Sequence, residues 1–169
     1  IAVRYLCRIK LEKEEEEIRM RQEDNPHAKP HHMTLRVKNH ALEGKNFGQL
    51  SQFLGRTFVC THFKQGDEII TPNKDTEIHY GDELMIVCAE DDAEAVLAFI
   101  GEEVEVDWKA EQAPIVSKRI LVTKPEVNGK TFGNMHFSSI YGVNVTRITR
   151  QGMDLFADRS LRIQIGDRL

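Results

Sequence analysis

Several absences narrow this chain before any motif is considered. It has three cysteines in 169 residues, Cys7, Cys60 and Cys88, far apart and without metal-ligand spacing. That pattern excludes a disulfide framework and a cysteine zinc site and suits a reducing compartment. A formal charge of −4 and a pI near 6.0 leave no basic field for nucleic acid, so no nucleic-acid partner is expected. Ile1 to Lys10 is apolar with Arg4, Arg8 and Lys10 among its residues, and is too short to span a bilayer. No nucleophile–base pairing and no convergent carboxylate pair stand out, so the chain reads as a non-enzyme with no catalytic residues and no cofactor. Asn144-Val-Thr146 matches a glycosylation sequon, but nothing else suggests secretion.

What is present is organised by repetition. Leu35 and Val37 sit in an alternating strand pattern with Met33, and Ile120 and Val122 follow about 85 residues later. Gly44-Lys-Asn-Phe-Gly48 recurs as Gly129-Lys-Thr-Phe-Gly133, and Gly81-Asp-Glu-Leu84 as Gly166-Asp-Arg-Leu169. Lys64-Gln-Gly66 recurs as Arg150-Gln-Gly152 after a one-residue slip, which reverses before Gly166. So long a period indicates a duplicated domain, not a solenoid.

Within the first unit the order reads β-α-β-β-β-β-α. A strand at 33–37 leads through a turn at Leu42–Asn46 into a helix bearing Phe47, Leu50, Phe53 and Leu54 on one side. Strands follow at Thr57–Phe63, around Ile69–Ile70, at Thr76–His79 and at Glu83–Cys88, with a tight turn at Gly81–Asp82. Asp91 and Glu94 read as a capping box for a helix carrying Ala93, Val96, Leu97 and Ile100, with Gly101 as its stop. The fold class expected is α+β: two copies of a small domain with a mostly antiparallel sheet and flanking helices.

The organisation expected is a connector and linker at 1–30, a first domain at 31–101, an acidic linker at 102–117, and a second domain at 118–169. The second copy stops short of the last strand and helix of the first and is expected to be truncated at its C-terminus. In it, Tyr141–Gln151 reads as a strand with Val143, Val145 and Ile148 available to pack, turning at Gln151–Gly152. Leu11–Gln22 reads as a charged, solvated helix, and Trp108 as an anchor on a domain face.

Two chemical motifs come to little. His27, His31, His32 and His40 cluster, yet no cysteine or carboxylate completes a ligand set, so no metal is expected. Gly129-Lys-Thr131 imitates the end of a phosphate-binding loop, but Lys124 stands where such a loop needs glycine. A turn followed by a helix explains it better. His62, Asp67 and Asp82 read as turn and surface residues.

Leu42-x-Gly-Lys-x-Phe, the strand ending before Gln65-Gly66, Ile70-x-Pro72 and Gly81-Asp-x-Leu84 together resemble the TrkA-C domain, the C-terminal domain of regulator-of-potassium-conductance proteins. Arg119-Ile-Leu-Val-Thr123, Tyr141-Gly-Val-Asn-Val-Thr-Arg-Ile-Thr-Arg150 and Leu161–Asp167 are similar to the duplicated TrkA-C region of the aspartate:alanine exchanger family of bacterial transporters. The first copy departs from the second in having Thr61-His62 where the second has Arg147-Ile148.

The resemblance implies a regulatory, ligand-sensing domain pair on the cytoplasmic face of the bacterial membrane. The basic apolar start would leave the transmembrane domain of the same polypeptide, with paired modules or a homodimer as assembly. The alternative is the sensing domain of a potassium channel or uptake system. For a small acidic effector the candidate residues are Arg147 and Arg150, because forked guanidinium donors suit carboxylates and phosphates. The competing assignment pairs Arg147, Arg150, Arg159 and Arg162 with Asp154, Asp158 and Asp167 on a solvated surface.

Overall fold

A computed structural model describes residues 29–108 and 115–169. The charged helix at 11–22, His27 and part of the acidic linker lie outside the described residues.

Alternating apolar side chains build the first half. β1 (Pro30–Val37) buries Met33, Leu35 and Val37 on one face and turns its intervening residues to the other. β2 (Lys45–Asn46) leads into α1 (Phe47–Leu54), and β3 (Phe58–Gln65) forms a hairpin with β4 (Glu68–Ile70). β5 (Glu77–Ile78) pairs only with β2. β6 (Glu83–Ala89), α2 (Ala93–Ile100) and β7 (Gly101–Glu103) complete the half. The five-stranded sheet runs β4-β3-β6-β1-β7 and is antiparallel throughout, with Leu84 of central β6 opposite both Leu35 and Phe63. The register of β3 against β6 shifts between Cys60 and His62, a bulge at Thr61.

The core lies between one sheet face and the two helices. Leu35, Val37, Leu50, Phe63, Ile78, Leu84, Ile86, Val96 and Ile100 have no exposed surface. Each such side chain contributes roughly 1.5–3 kcal/mol relative to solvent exposure. The other face is partly covered by Trp108, which lies 5.4 Å from the His62 ring and donates from Nε1 to Thr34 Oγ1 at 3.0 Å.

The sequence reading needs correction in detail. Phe53 is 63% exposed, because the buried stripe of α1 runs through Phe47, Leu50 and Leu54. The capping box is not at Asp91 but at Asn46, whose side chain accepts from Gln49 N–H while Gln49 returns the bond to Asn46 N–H. At α2 a 3-10 turn over Glu90–Asp92 runs straight into the helix, and no side chain caps it. Gly101 does stop α2, with its N–H donating to the Leu97 carbonyl, but not in the left-handed conformation. A Cβ there would collide with the Arg36 carbonyl and the Lys38 amide, so glycine lets the chain cross β1 at contact.

The second half is leaner. After a 3-10 turn at Pro125–Val127 come α3 (Phe132–Met135) and α4 (Phe137–Tyr141), then β8 (Arg147–Arg150) and β9 (Met153–Phe156) as a hairpin. Val143 and Val145 lie in the connection before β8, outside any strand, and Val143 is 42% exposed. Ile148 is fully buried with Val122, Phe132, Ala157 and Ile163.

The isolated bridges Leu121–Arg168, Thr131–Arg162 and Thr149–Arg168 stand at a constant interval of 85 from Arg36–Glu83, Asn46–Glu77 and Lys64–Glu83 (121 − 36 = 168 − 83 = 85). The hairpins keep that interval, Arg150–Met153 following Gln65–Glu68. The one-residue slip is therefore only apparent: glycine occupies the first turn position in one hairpin, Gly66, and the second in the other, Gly152. Gln151 accordingly takes the left-handed conformation, with φ 51°. No helix among the described residues is long and apolar enough to cross a membrane.

Candidate functional site

Each half buries one carboxylate, at the turn that returns the chain onto its first strand. Asp82 is 7% exposed and Asp167 is 1% exposed, against the expectation of a surface turn residue at Asp82. The backbone explains the burial. Val37 N–H donates to the Asp82 carbonyl and Gly81 N–H to the Val37 carbonyl, and Val122, Asp167 and Gly166 repeat the arrangement. The side chain then folds inward to accept from the amide three residues back, His79 N–H at 2.7 Å and Gln164 N–H at 2.7 Å.

The halves differ in the side chain that completes the turn. In the first, Gln65 donates from Nε2 to Asp82 at 3.2 Å and lies 2.7 Å from His79 Nδ1. Burial dominates, and the Asp82 carboxyl titrates above its ordinary value despite these donors. In the second, Arg150 stands at the position of Gln65. Its Nε and Nη2 each donate to Asp167 at 2.8 Å, and Nη2 also donates to the Arg162 carbonyl at 2.7 Å. Burial also works to raise Asp167, but the Arg150 and Gln164 bonds and the Arg150 charge outweigh it, leaving the carboxyl below its ordinary value. The Asp167 bond is the largest influence raising Arg150 in turn.

Arg147 lies elsewhere. Its Nη1 donates to Asp154 at 3.1 Å, with both side chains more than 40% exposed. It also faces the first half: burial, and then the Arg147 charge, hold His32 below the usual imidazole range. The two candidate arginines thus serve different groups, since a spacing of three along a strand puts side chains on opposite faces. Both are engaged by aspartates.

The halves touch through apolar and polar contacts. Phe156 packs with Val59, Val87 and Ala89, and Asn144 Nδ2 donates to the Cys60 carbonyl at 3.0 Å. Beside this contact opens a cleft of about 780 Å³. Lys74, Asp75, His136, Ser138, Asn144 and Arg159 give it a polar rim over Phe132, Phe137 and Val145. His40 stacks on Tyr80 with ring centroids 4.3 Å apart, His31 and His32 are neighbours in β1, and no group of three metal-ligating side chains converges among the described residues. Gly44-Lys-x-Phe serves structure, with Lys45 pairing to Ile78 and Asn46 capping α1.

The family model of the TrkA-C domain matches residues 32–101, from within β1 to the end of α2. The first half is a TrkA-C domain. Across its whole length the chain is 52% identical to an uncharacterized transporter of Bacteroides thetaiotaomicron, covering 30% of that protein. It is 36% identical to an uncharacterized transporter of Bacteroides fragilis, covering 31% of it. Over 81% of the chain it is 32% identical to a putative transport protein of Yersinia pseudotuberculosis, covering 25% of it. The chain therefore spans under a third of these relatives. A crystal structure of the GsuK RCK domain aligns with a TM-score of 0.39 and 11% identity, covering 82% of this chain and 59% of that one. That likeness is too slight to bear on the TrkA-C assignment.

Proposed function

We propose that the chain is the cytoplasmic regulatory region of a bacterial membrane transporter, built from two TrkA-C-like modules as in the aspartate:alanine exchanger family. The observation that carries this reading is a TrkA-C domain inside a chain that aligns end to end with proteins named transporters. The constant interval of 85 in strand pairing and in the buried-aspartate turn supports a second copy at 118–169. The contacts of Phe156 and Asn144 support pairing of the modules with each other.

A regulatory module acts by having different affinity for two states of the membrane domain, with an effector biasing that choice. In this reading the effector is a small acidic molecule. Of the two candidate arginines, Arg147 is the more available, since its exposed pair with Asp154 exchanges at little cost. Arg150 is held by a buried partner, and releasing it would strand Asp167.

The test is solute exchange by the transporter carrying this region in proteoliposomes, beside a form lacking residues 29–169 and an Asn144→Ala, Phe156→Ala form. Altered flux or altered solute dependence in both supports regulation; flux identical to the intact protein in both refutes it. Titration calorimetry with nucleotides and acidic amino acids, on the chain and on Arg147→Ala, tests the effector. Equal binding by both removes Arg147 from the site.

A further inference from the structure

Charge is divided unevenly along the molecule. Residues 29–108 carry fifteen acidic and seven basic side chains, a formal charge of −8, while residues 115–169 carry four acidic and nine basic ones, +5. The first half spends its cations internally: Lys29, Arg36, Lys38 and Arg56 all pair with carboxylates. In the second half Arg147 pairs with Asp154, Arg150 pairs with Asp167, and Asp158 accepts from Ser160. Glu126 is the remaining carboxylate and is exposed, so the outward charge there is cationic in balance, with one acidic group among the cations.

The unspent cations gather along the segment 118–130 and at Arg168, which bridges to it at Leu121. Leu121 lies opposite Arg168 in an antiparallel bridge, and Arg119, two residues away, shares its side of the strand. Lys118 precedes this strand and Lys124 follows it, while Lys130 adjoins the next bridge, Thr131 with Arg162. Lys118, Arg119, Lys124, Lys130 and Arg168 are exposed, and none has an ion pair among the described residues. Interleaved with them, Ile120, Leu121 and Ile165 are each 54% exposed.

The shape and composition of this surface choose among partners. None of these residues lines the cleft between the halves, so the patch offers no concavity to a small anion. A long nucleic acid would run its phosphates onto the −8 half, and a single strand would find no aromatic among these residues to stack on. Cations placed only to guard a strand edge would not be accompanied by half-exposed aliphatics. A plane of anionic headgroups meets every condition: it needs no groove, it binds the cations, and it accepts isoleucine and leucine at the headgroup boundary. We propose that residues 115–169 dock on an anionic bilayer surface through Arg119, Leu121 and Arg168, which share one side, with Lys118 and Lys124 adding charge at the two ends of the same segment and the acidic half turned away from the membrane.

Co-sedimentation of the purified chain with phosphatidylcholine vesicles, with and without phosphatidylglycerol, tests this at low and high salt. Binding is expected only with phosphatidylglycerol and is expected to fall as salt rises. Each cation near the surface is worth roughly a fivefold change in affinity. Reversing four of them (Lys118→Glu, Arg119→Glu, Lys124→Glu, Arg168→Glu) should therefore weaken binding at least about a hundredfold while the thermal midpoint stays in place. Reversal of the cleft cations, Lys74→Glu with Arg159→Glu, should weaken it far less.

Equal binding to neutral vesicles, undiminished binding by the fourfold variant, or an equal loss from the cleft variant overturns the proposal. So does salt-sensitive self-association without lipid that the fourfold variant abolishes, which would assign the patch to the acidic half of a second copy. Failure of the regulatory reading in the flux assay would leave the vesicle result standing, so the two are separable.

Discussion

The two buried aspartates occupy the same turn, and their partners make them opposites. Asp82 meets a neutral amide and burial raises it; Asp167 meets a bidentate guanidinium and is lowered. The cores differ in the same direction. Fourteen buried residues form the main cluster of the first half and five that of the second, so the second half leans more on its charged lock and on its neighbour. The same backbone turn can be closed by a neutral amide or by a charged guanidinium, and the cost of a mutation there depends on which of the two closes it.

The largest effect should come from removing the neighbour. Phe156→Ala empties a site lined by Val59, Val87 and Ala89 and should cost about 3–4 kcal/mol, read as earlier denaturant unfolding of the second half with the first little changed. Concerted loss of both halves would break the comparison. Arg150→Ala comes next, leaving Asp167 buried and unpaired, at about 3 kcal/mol. Gln65→Ala at the matching position should cost no more than about 1 kcal/mol. Equal losses would mean that the charge does not matter.

Acid sharpens the contrast through the sign of each shift. Asp167 is lowered, so its contribution is present above the ordinary value of 3.8 and disappears as pH falls through its lower folded value. Asp82 is raised, so its contribution is present below 3.8 and disappears as pH rises through its folded value. Asp167→Asn should therefore destabilise at neutral pH, whereas Asp82→Asn should change stability by less than about 1 kcal/mol, seen in paired urea titrations. The smallest effect concerns the contact between halves. His32 is lowered by burial and by Arg147, so its contribution is full above 6.5 and is lost as pH falls through its folded value. Arg147→Gln should flatten that pH dependence of the thermal midpoint.

Much of the first half was legible because its signals are local. Alternation in Met33-x-Leu35-x-Val37 and glycines at the turns place the strands without tertiary information. The capping box was equally visible as Asn46 and Gln49 three apart, but the acidic pair at Asp91 and Glu94 drew the assignment instead. Val143 and Val145 have strand chemistry, yet Gly142 ends α4 in a left-handed turn and Asn144 is tied to the Cys60 carbonyl. That bond spans 84 residues and leaves no local trace. Burial of Asp82 was hidden for a related reason, since its donors come from Gln65 and from the backbone of His79. The repetition of Gly-Asp at 81–82 and 166–167 was the available clue, and its force depends on seeing both turns fold inward.

The seat of Phe156 also sets an order of events. Its neighbours Val87 and Ala89 lie at the end of β6, the central strand, which cannot join the sheet before β1 and β3 are present. In a chain emerging from its N-terminus, that surface exists only once the chain through Ala89 has folded. The later half then meets a finished template, and condenses on it rather than nucleating alone.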